Sequence, residues 1–232
     1  DKNVANGIAV TVTDTTLVSG TGLASNYSLT QPTGLTADIT AKELTITGMT
    51  ADDKTYDGSL VAALTGGTLD TGITGEALTF TGQTGAFADK NVANGIAVTV
   101  TDTTLVGDGT NGAGLASNYS LIQPTGLTAD IDKATLTYVA TPNTMTAGTT
   151  PNLTGDVTGF VGGEDLASAT TGGSLWNTAG VTTQPGTYGI TGSGLAASNY
   201  DFVQDPINAT ALTVQAGSPP SEVRTTAVSL LP

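Results

Sequence analysis

The amino-acid sequence of 232 residues contains neither cysteine nor histidine. The absence of histidine excludes a Ser-His-Asp triad, an imidazole general base and histidine ligands for zinc. The absence of cysteine excludes disulfides, thiolate nucleophiles and thiolate ligands for iron–sulfur clusters. Because these absences remove most enzymatic chemistry, we predict a protein that is not an enzyme and that carries no cofactor.

Basic residues are also scarce. Six Lys and Arg stand against 20 Asp and Glu, which gives a formal net charge of −14. Nucleic-acid affinity depends on cationic side chains that displace counterions from phosphates, so this balance argues against a nucleic-acid partner.

No apolar run approaches the ~20 residues that a spanning helix needs. We therefore expect no membrane insertion in this segment.

The abundant residues are threonine and glycine, with 47 Thr and 31 Gly in the chain. Threonine is β-branched and suits the exposed face of a strand. Charged residues make up only 11% of the sequence, and strong helix formers are few. The composition predicts an all-β protein whose surface is carried largely by Thr, Ser, Asn and Gly.

An internal repeat organises the chain. Residues 1–18 recur unchanged as residues 89–106, and two further blocks recur with them: 22–29 as 114–121 and 31–39 as 123–131. The repeat predicts four parts: the second half of a preceding copy at 1–41, a complete copy at 42–132, a related module at 133–215, and a Pro/Ser linker with a short apolar tail at 216–232. The chain begins in the middle of a repeat, so we interpret it as a piece of a longer tandem array.

Alternating apolar residues mark the strands. Period-2 runs separated by Gly, Asn and Asp are typical of half-buried antiparallel strands. The runs include Ile8 to Val12, Leu35 to Ile39, Ile96 to Val100, Leu136 to Tyr138 and Leu212 to Val214. Turn signals about 8–12 residues apart favour sandwiches over a continuous β-helix. We predict tandem small antiparallel β-sandwich modules of Ig-like type, with β-grasp-like modules as the alternative.

Two acidic loops are candidates for calcium, which needs six or more oxygen ligands. One contains Asp52, Asp53 and Asp57, and the other contains Asp108. The alternative is that these carboxylates belong to ordinary turns between strands. The pair Glu164-Asp165 is a formal candidate for a glycosidase dyad, but carboxylates in the loops of an acidic protein are commonplace.

The tripeptide Ser-Asn-Tyr recurs at the same place in all three modules: Ser25 to Tyr27, Ser117 to Tyr119 and Ser198 to Tyr200. Its recurrence indicates a shared structural role. We expect the Asn to hydrogen-bond to backbone and the Tyr to anchor the start of a strand. Trp176, the single tryptophan, is predicted to be a core aromatic, with an exposed sugar platform as the alternative.

Two families of bacterial repeats resemble these modules. Lys54 to Gly58, followed by Thr/Gly-rich strands and a closing Ala-Ser-Asn-Tyr, resembles the YDG-type repeat. The module at 133–215, with Thr187 to Ile190 and Ala-Ser-Asn-Tyr-Asp, is similar to the MBG-type repeat. Both repeat types occur in large secreted exoproteins of Gram-negative bacteria, and this chain is similar to the repeat regions of filamentous-haemagglutinin-like and biofilm matrix adhesins. The resemblance implies an extracellular or cell-surface protein and supplies no catalytic residues.

The leading hypothesis is a stalk that projects or links the adhesive parts of a bacterial surface protein, with further repeats of the same parent chain as its neighbours. As an alternative, the repeats bind extracellular polysaccharide or identical chains themselves. One form of self-assembly is strand donation between chains, in which the tail Val223 to Leu231 and the half-repeat at 1–41 find partners.

Overall fold

The computed structural model describes residues 2–111, 113–178 and 183–217. Strands make up half of the structure and helices only 7%, so the all-β prediction is confirmed. The tail at Val223 to Leu231 lies outside the described residues. None of the described helices is long and apolar enough to cross a membrane.

The first 132 residues form twelve strands in the described part of the chain. Their bounds are β1 Ala5–Val10, β2 Leu35–Ile39, β3 Lys42–Ala51, β4 Lys54–Thr55, β5 Val61–Ala62, β6 Leu64–Leu69, β7 Thr79–Thr81, β8 Thr84–Phe87, β9 Ala93–Thr101, β10 Thr104–Val106, β11 Tyr119–Ile122 and β12 Leu127–Asp132. Short 3-10 helices at Ala24–Asn26 and Ala116–Asn118 contain the recurring Ser-Asn pair.

The remaining described residues form β13 Ala134–Ala140, β14 Asn143–Thr146, β15 Gly155–Thr158, β16 Thr171–Thr178, β17 Gly186–Tyr188, β18 Ile190–Ala196, β19 Tyr200–Gln204 and β20 Leu212–Gln215. They also include the one-turn helix α1 Leu166–Ala169 and a 3-10 helix at Pro206–Thr210. Asp165 caps α1, because its carboxylate accepts a hydrogen bond from the Ser168 backbone N–H.

The chain divides into two compact units whose limits cut across the repeats. Unit 1 contains Asp1–Asp53, Leu60–Asp89 and Gly95–Asp130. Unit 2 contains Ile131–Pro232 together with two short segments of the repeat before it, Lys54–Ser59 and Lys90–Asn94. Unit 2 is therefore built from the last module and from pieces of its predecessor.

Unit 1 contains several small sheets. Strand β1 pairs antiparallel with β2, β7 pairs with β10, β3 lies between β11 and β6, and β9 lies between β12 and β8. The pairing of β11 with β3 is parallel, with Tyr119 opposite Lys42. The core of this unit includes Leu44, Leu78 and Tyr119 in one cluster and Ile46, Met49 and Val100 in another.

Unit 2 has two three-stranded mixed sheets and a two-stranded ribbon. In the mixed sheets β13 lies between β15 and β19, and β20 lies between β14 and β17; the ribbon is β16 with β18. The pairings of β13 with β19 and of β14 with β20 are parallel. The sheets are therefore mixed, whereas antiparallel sheets were predicted. In both parallel pairs a strand from the start of the module lies beside one from its end, and a long crossover connection makes parallel pairing possible.

The core of unit 2 includes Ile190, Leu212, Val214 and Met145. Trp176 is partly buried against this cluster and meets the ring of Tyr138 edge-on, with 5.7 Å between centroids. This packing agrees with the predicted core role of Trp176 rather than with an exposed platform.

Candidate functional site

The Asn of the second Ser-Asn-Tyr holds a segment of the copy before it. In unit 1 the Oδ1 of Asn118 accepts a hydrogen bond of 2.9 Å from the backbone N–H of Val4. The Nδ2 of Asn118 donates one of 2.9 Å to the Oδ1 of Asn3. The Asn therefore binds both the backbone and a side chain of the Lys-Asn-Val segment that is more than a hundred residues earlier in the chain.

The third Ser-Asn-Tyr makes the same two bonds in unit 2. The Oδ1 of Asn199 accepts a hydrogen bond of 3.0 Å from the backbone N–H of Val92. The Nδ2 of Asn199 donates one of 2.8 Å to the Oδ1 of Asn91. The expected bond from this Asn to backbone is confirmed at both positions, and its partner proves to be the preceding repeat.

A glutamate lies beside each of these asparagines. In unit 2 the carboxylate of Glu164 accepts hydrogen bonds of 2.6 Å from the phenols of Tyr200 and Tyr56. Hydrogen bonds donated by Tyr200, and next by Tyr56, hold the pKa of Glu164 below its ordinary value. Burial, reinforced by the bond to Glu164, raises the pKa of Tyr56 to about 12.

The equivalent glutamate of unit 1 is Glu76. Its Oε2 accepts a hydrogen bond of 2.8 Å from the phenol of Tyr119, and its Oε1 accepts one of 2.8 Å from the Nζ of Lys2. The bond from Lys2 is the main reason that the pKa of Glu76 is lowered, and the bond from Tyr119 adds to it. The two carboxylates thus share one tyrosine partner and differ in the second donor.

We call this arrangement the junction. Each junction consists of the Asn and Tyr of Ala-Ser-Asn-Tyr, the Glu that accepts a hydrogen bond from that Tyr, and the Lys-Asn-Val segment of the preceding repeat. One junction lies within unit 1 and one within unit 2. Each junction joins separate segments of the chain through hydrogen bonds.

The Tyr-Asp-Gly sequence of residues 56–58 has a local explanation in unit 2. The carboxylate of Asp57 accepts a hydrogen bond from the backbone N–H of Ser59 and forms an ion pair of 2.8 Å with Lys54. The bond from Lys54 is the first cause that lowers the pKa of Asp57 to about 2. Gly58 has a φ of +77°, and a Cβ on it would lie 3.1 Å from the Cα of Gly162. The turn therefore requires glycine, and it presents Tyr56 to Glu164.

The four calcium candidates make separate hydrogen bonds. In unit 1 the carboxylate of Asp52 accepts a bond from Thr65, that of Asp53 from the backbone N–H of Asp130, and that of Asp108 from Thr110. Asp57 is engaged in unit 2 as described. No group of three or more acidic side chains suited to a metal occurs among the described residues. Calcium at these four carboxylates stays a hypothesis, with ordinary turns between strands as the alternative.

The first Ser-Asn-Tyr differs from the other two. Tyr27 is 70% exposed, whereas Tyr119 and Tyr200 are buried at the junctions. The Glu164-Asp165 pair is divided between two structural tasks, since Glu164 accepts the two phenols and Asp165 caps α1. These contacts assign neither carboxylate an acid–base role.

The sequence analysis did not identify Glu76 as a site residue, and it considered Glu164 only for a dyad. A signal was present in the sequence. Each of the two glutamates directly follows a glycine, Gly75 in one module and Gly163 in the next. A Gly-Glu pair that occurs once in each of two modules, in a chain of few glutamates, indicates a shared role.

The fold and the junctions define a class of protein: a tandem array of small β modules in which each module binds segments of its predecessor. Comparison with protein-family models then identifies the modules. Residues 40–129 match the YDG domain, and residues 136–213 match the MBG domain of YGX type. Both are repeat-type domains typical of bacterial surface proteins, and no catalytic family matches. No curated protein and no solved structure matches the chain.

Proposed function

We propose that the chain is the non-catalytic stalk of a bacterial surface or extracellular adhesin, and that it projects or links adhesive parts in biofilm or host attachment. The observation that supports this proposal most directly is the recurrence of the junction. Asn118 with Glu76 and Asn199 with Glu164 make matching hydrogen bonds in two different units. A spacer requires such uniform joining of neighbours.

The physical basis is the nearest-neighbour logic of repeat proteins. A module of 80–90 residues buries a small core, and contacts with its neighbours add to its stability. Here the added contacts are made by short segments of the preceding repeat, for example Lys90–Asn94 in unit 2. Length is then gained by adding copies, and no copy needs a surface of its own for a ligand.

The test is small-angle X-ray scattering with in-line light scattering. The chain would be compared with versions that carry one or two additional copies of residues 42–132 inserted after Asp132. The proposal predicts monomers whose maximum dimension increases by the same amount with each copy. A particle whose radius of gyration grows only as about the 0.38 power of chain length, as in a single compact domain, would refute the stalk.

A further inference from the structure

The Lys-Thr-Tyr-Asp-Gly segment occupies a defined place in unit 2. Strand β4 pairs in parallel with the end of β12, so that Lys54 lies opposite Ile131. The backbone N–H of Tyr56 donates a hydrogen bond of 2.8 Å to the carbonyl of Asp132. Tyr56 is buried, and its phenol reaches Glu164. The segment thus adds a short strand and inserts one tyrosine anchor.

Unit 1 has an equivalent position, where its described residues include no Lys-Thr-Tyr-Asp-Gly segment. Ile39 and Thr40 correspond to Ile131 and Asp132 by the repeat. Ile131 is 1% exposed, whereas Ile39 is only half-buried. Within the described part of unit 1, β2 pairs only with β1, which leaves its other edge open.

A cavity of about 310 Å³ marks the position. Its lining includes Ile39, Thr40, Ile73, Glu76 and Tyr119. These residues correspond to those that surround Tyr56 in unit 2, namely the strand end, the junction carboxylate and the junction tyrosine. The cavity is therefore located where the repeat predicts a tyrosine side chain.

We propose that this cavity is an acceptor site for the Lys-Thr-Tyr-Asp-Gly segment of a further YDG repeat of the same array. The inference rests on the proposed function and deepens it by naming the partner of the junction in unit 1. A repeat of the array is favoured over a second free chain, because in each chain the segment Lys54–Ser59 is already held in unit 2.

The chemistry of the site suits this occupant. An incoming tyrosine would donate its phenol to the Oε1 of Glu76, the atom that now accepts from Lys2. The Lys2 side chain is 78% exposed, and an ion pair with so exposed a lysine contributes little to stability, so a tyrosine can replace it. The tyrosine ring would meet Tyr119 edge-on, as Tyr56 meets Tyr200 with 5.4 Å between centroids. The open edge of β2 would supply backbone hydrogen bonds for strand addition.

One position differs between the two sites. Gly58 approaches Gly162 closely in unit 2, and Thr74 takes the place of Gly162 in unit 1. The segment's glycine must therefore lie farther from Thr74 than Gly58 lies from Gly162. We expect weaker seating in unit 1 than in unit 2, and specificity carried by the tyrosine and the strand edge.

The probe is an acetylated and amidated peptide with the sequence of residues 51–60, added to the isotope-labelled full chain. The expected result is saturable change in the amide resonances of Ile39, Thr40 and Tyr119 in the NMR spectrum. A peptide with Phe in place of the tyrosine is expected to bind at least about tenfold more weakly, because it lacks the hydrogen bond to a charged group. Glu76→Gln in the chain should weaken the parent peptide similarly.

The matched control is Glu43→Gln, which changes an exposed glutamate of β3 and should leave binding unchanged. Retained dispersion of the amide spectrum shows that Glu76→Gln is folded. Absence of saturable change at millimolar peptide, or equal binding of the Phe peptide, would overturn the acceptor site. A dimer of the chain that forms with concentration and is displaced by peptide would instead identify a second copy as the occupant. Elongation of the scattering series without peptide binding would leave the stalk intact and remove only this inference.

Discussion

The phenol of Tyr200 donates a hydrogen bond of 2.6 Å to the carboxylate of Glu164. The same bond, at 2.8 Å, joins Tyr119 to Glu76 in the other unit. In each case the tyrosine belongs to the Ala-Ser-Asn-Tyr segment that also binds the preceding repeat. The Tyr–Glu pair is thus the fixed element of the junction, and the second donor to the carboxylate varies.

Replacing Glu164 tests how much its carboxylate contributes to the stability of unit 2. Glu164→Gln removes the charge that two phenols share, so we expect the free energy of unfolding to fall by about 1.5–3 kcal/mol, the range for hydrogen bonds to charged groups. Urea denaturation of the full chain measures the change. Glu43→Gln is the control and should stay within about 0.5 kcal/mol. Equal effects of the two variants would show that Glu164 contributes no more than an exposed glutamate.

Alkaline pH tests the burial of Tyr56. Because its pKa is raised from 10.0 to about 12, the folded state favours the protonated phenol more than the unfolded state does. This contribution to stability is complete below pH 10 and is lost as pH rises towards 12. Subtracting the phenolate titration of Tyr56→Phe from that of the parent chain should reveal a group that ionises near pH 12. A difference centred near pH 10 would contradict the buried, hydrogen-bonded phenol.

The repeated asparagines offer a comparison within one chain. Asn199→Ala removes the bonds to Val92 and Asn91, so we expect a loss of about 1–3 kcal/mol. Asn26 occupies the same position in the first copy, where its side chain is exposed and makes no hydrogen bond to the described residues. Asn26→Ala should therefore change stability by less than about 0.5 kcal/mol. Similar effects of the two variants in thermal unfolding would argue against the junction.

A buried asparagine stabilises the MBG module from within. The Oδ1 of Asn208 accepts from the backbone N–H of Ala140, and its Nδ2 donates to the carbonyl of Tyr138, each at 2.8 Å. Asn208→Ala leaves both backbone groups without these partners, and we expect a cost of about 2–5 kcal/mol. The exposed Asn177→Ala is the control. An equally small loss for both variants in urea denaturation would refute this role.

Adding calcium tests the two acidic loops as metal sites. The carboxylate of Asp57 is already paired with Lys54, and the described residues contain no cluster of three acidic side chains suited to a metal. A ligand that binds only the folded state raises the melting temperature, and the increase grows with the ratio of its concentration to its dissociation constant. We expect the same melting temperature in millimolar calcium and in EDTA. A saturable increase with calcium, abolished by Asp57→Asn or Asp108→Asn, would contradict this expectation and establish a metal site at the candidate loop.

Much of the fold follows from the sequence, and the burial of individual strands does not. The alternation around Val98 predicts a strand, and the identical residues around Val10 predict the same. Both are strands, yet Val98 is 5% exposed and its equivalent Val10 is 43% exposed. The difference arises because β9 has strands on both sides, whereas β1 pairs only with β2 in the described part of unit 1. The local sequence therefore determines that a strand forms, and the neighbouring segments determine how far its side chains are buried.

The junction was predictable only in part. The recurring Ser-Asn-Tyr indicated an Asn bonded to backbone and a tyrosine anchor, and the structure has both at Asn199 and Tyr200. The partners of Glu164 were not predictable, because Tyr56 and Tyr200 are 108 and 36 residues away along the chain. Hydrogen bonds over such separations leave no local pattern, and periodicity analysis cannot detect them.

The central claim is that segments of one repeat complete the fold of the next. The most direct test is calorimetry of residues 133–217 alone, compared with the full chain. The isolated module lacks Lys54–Ser59 and Lys90–Asn94, both parts of unit 2. A loss of about 2 kcal/mol would lower the melting temperature by roughly 8–16 °C in a module of this size, and we expect at least that decrease. A cooperative transition at the same temperature as in the full chain would show that the module needs no predecessor and would contradict the account.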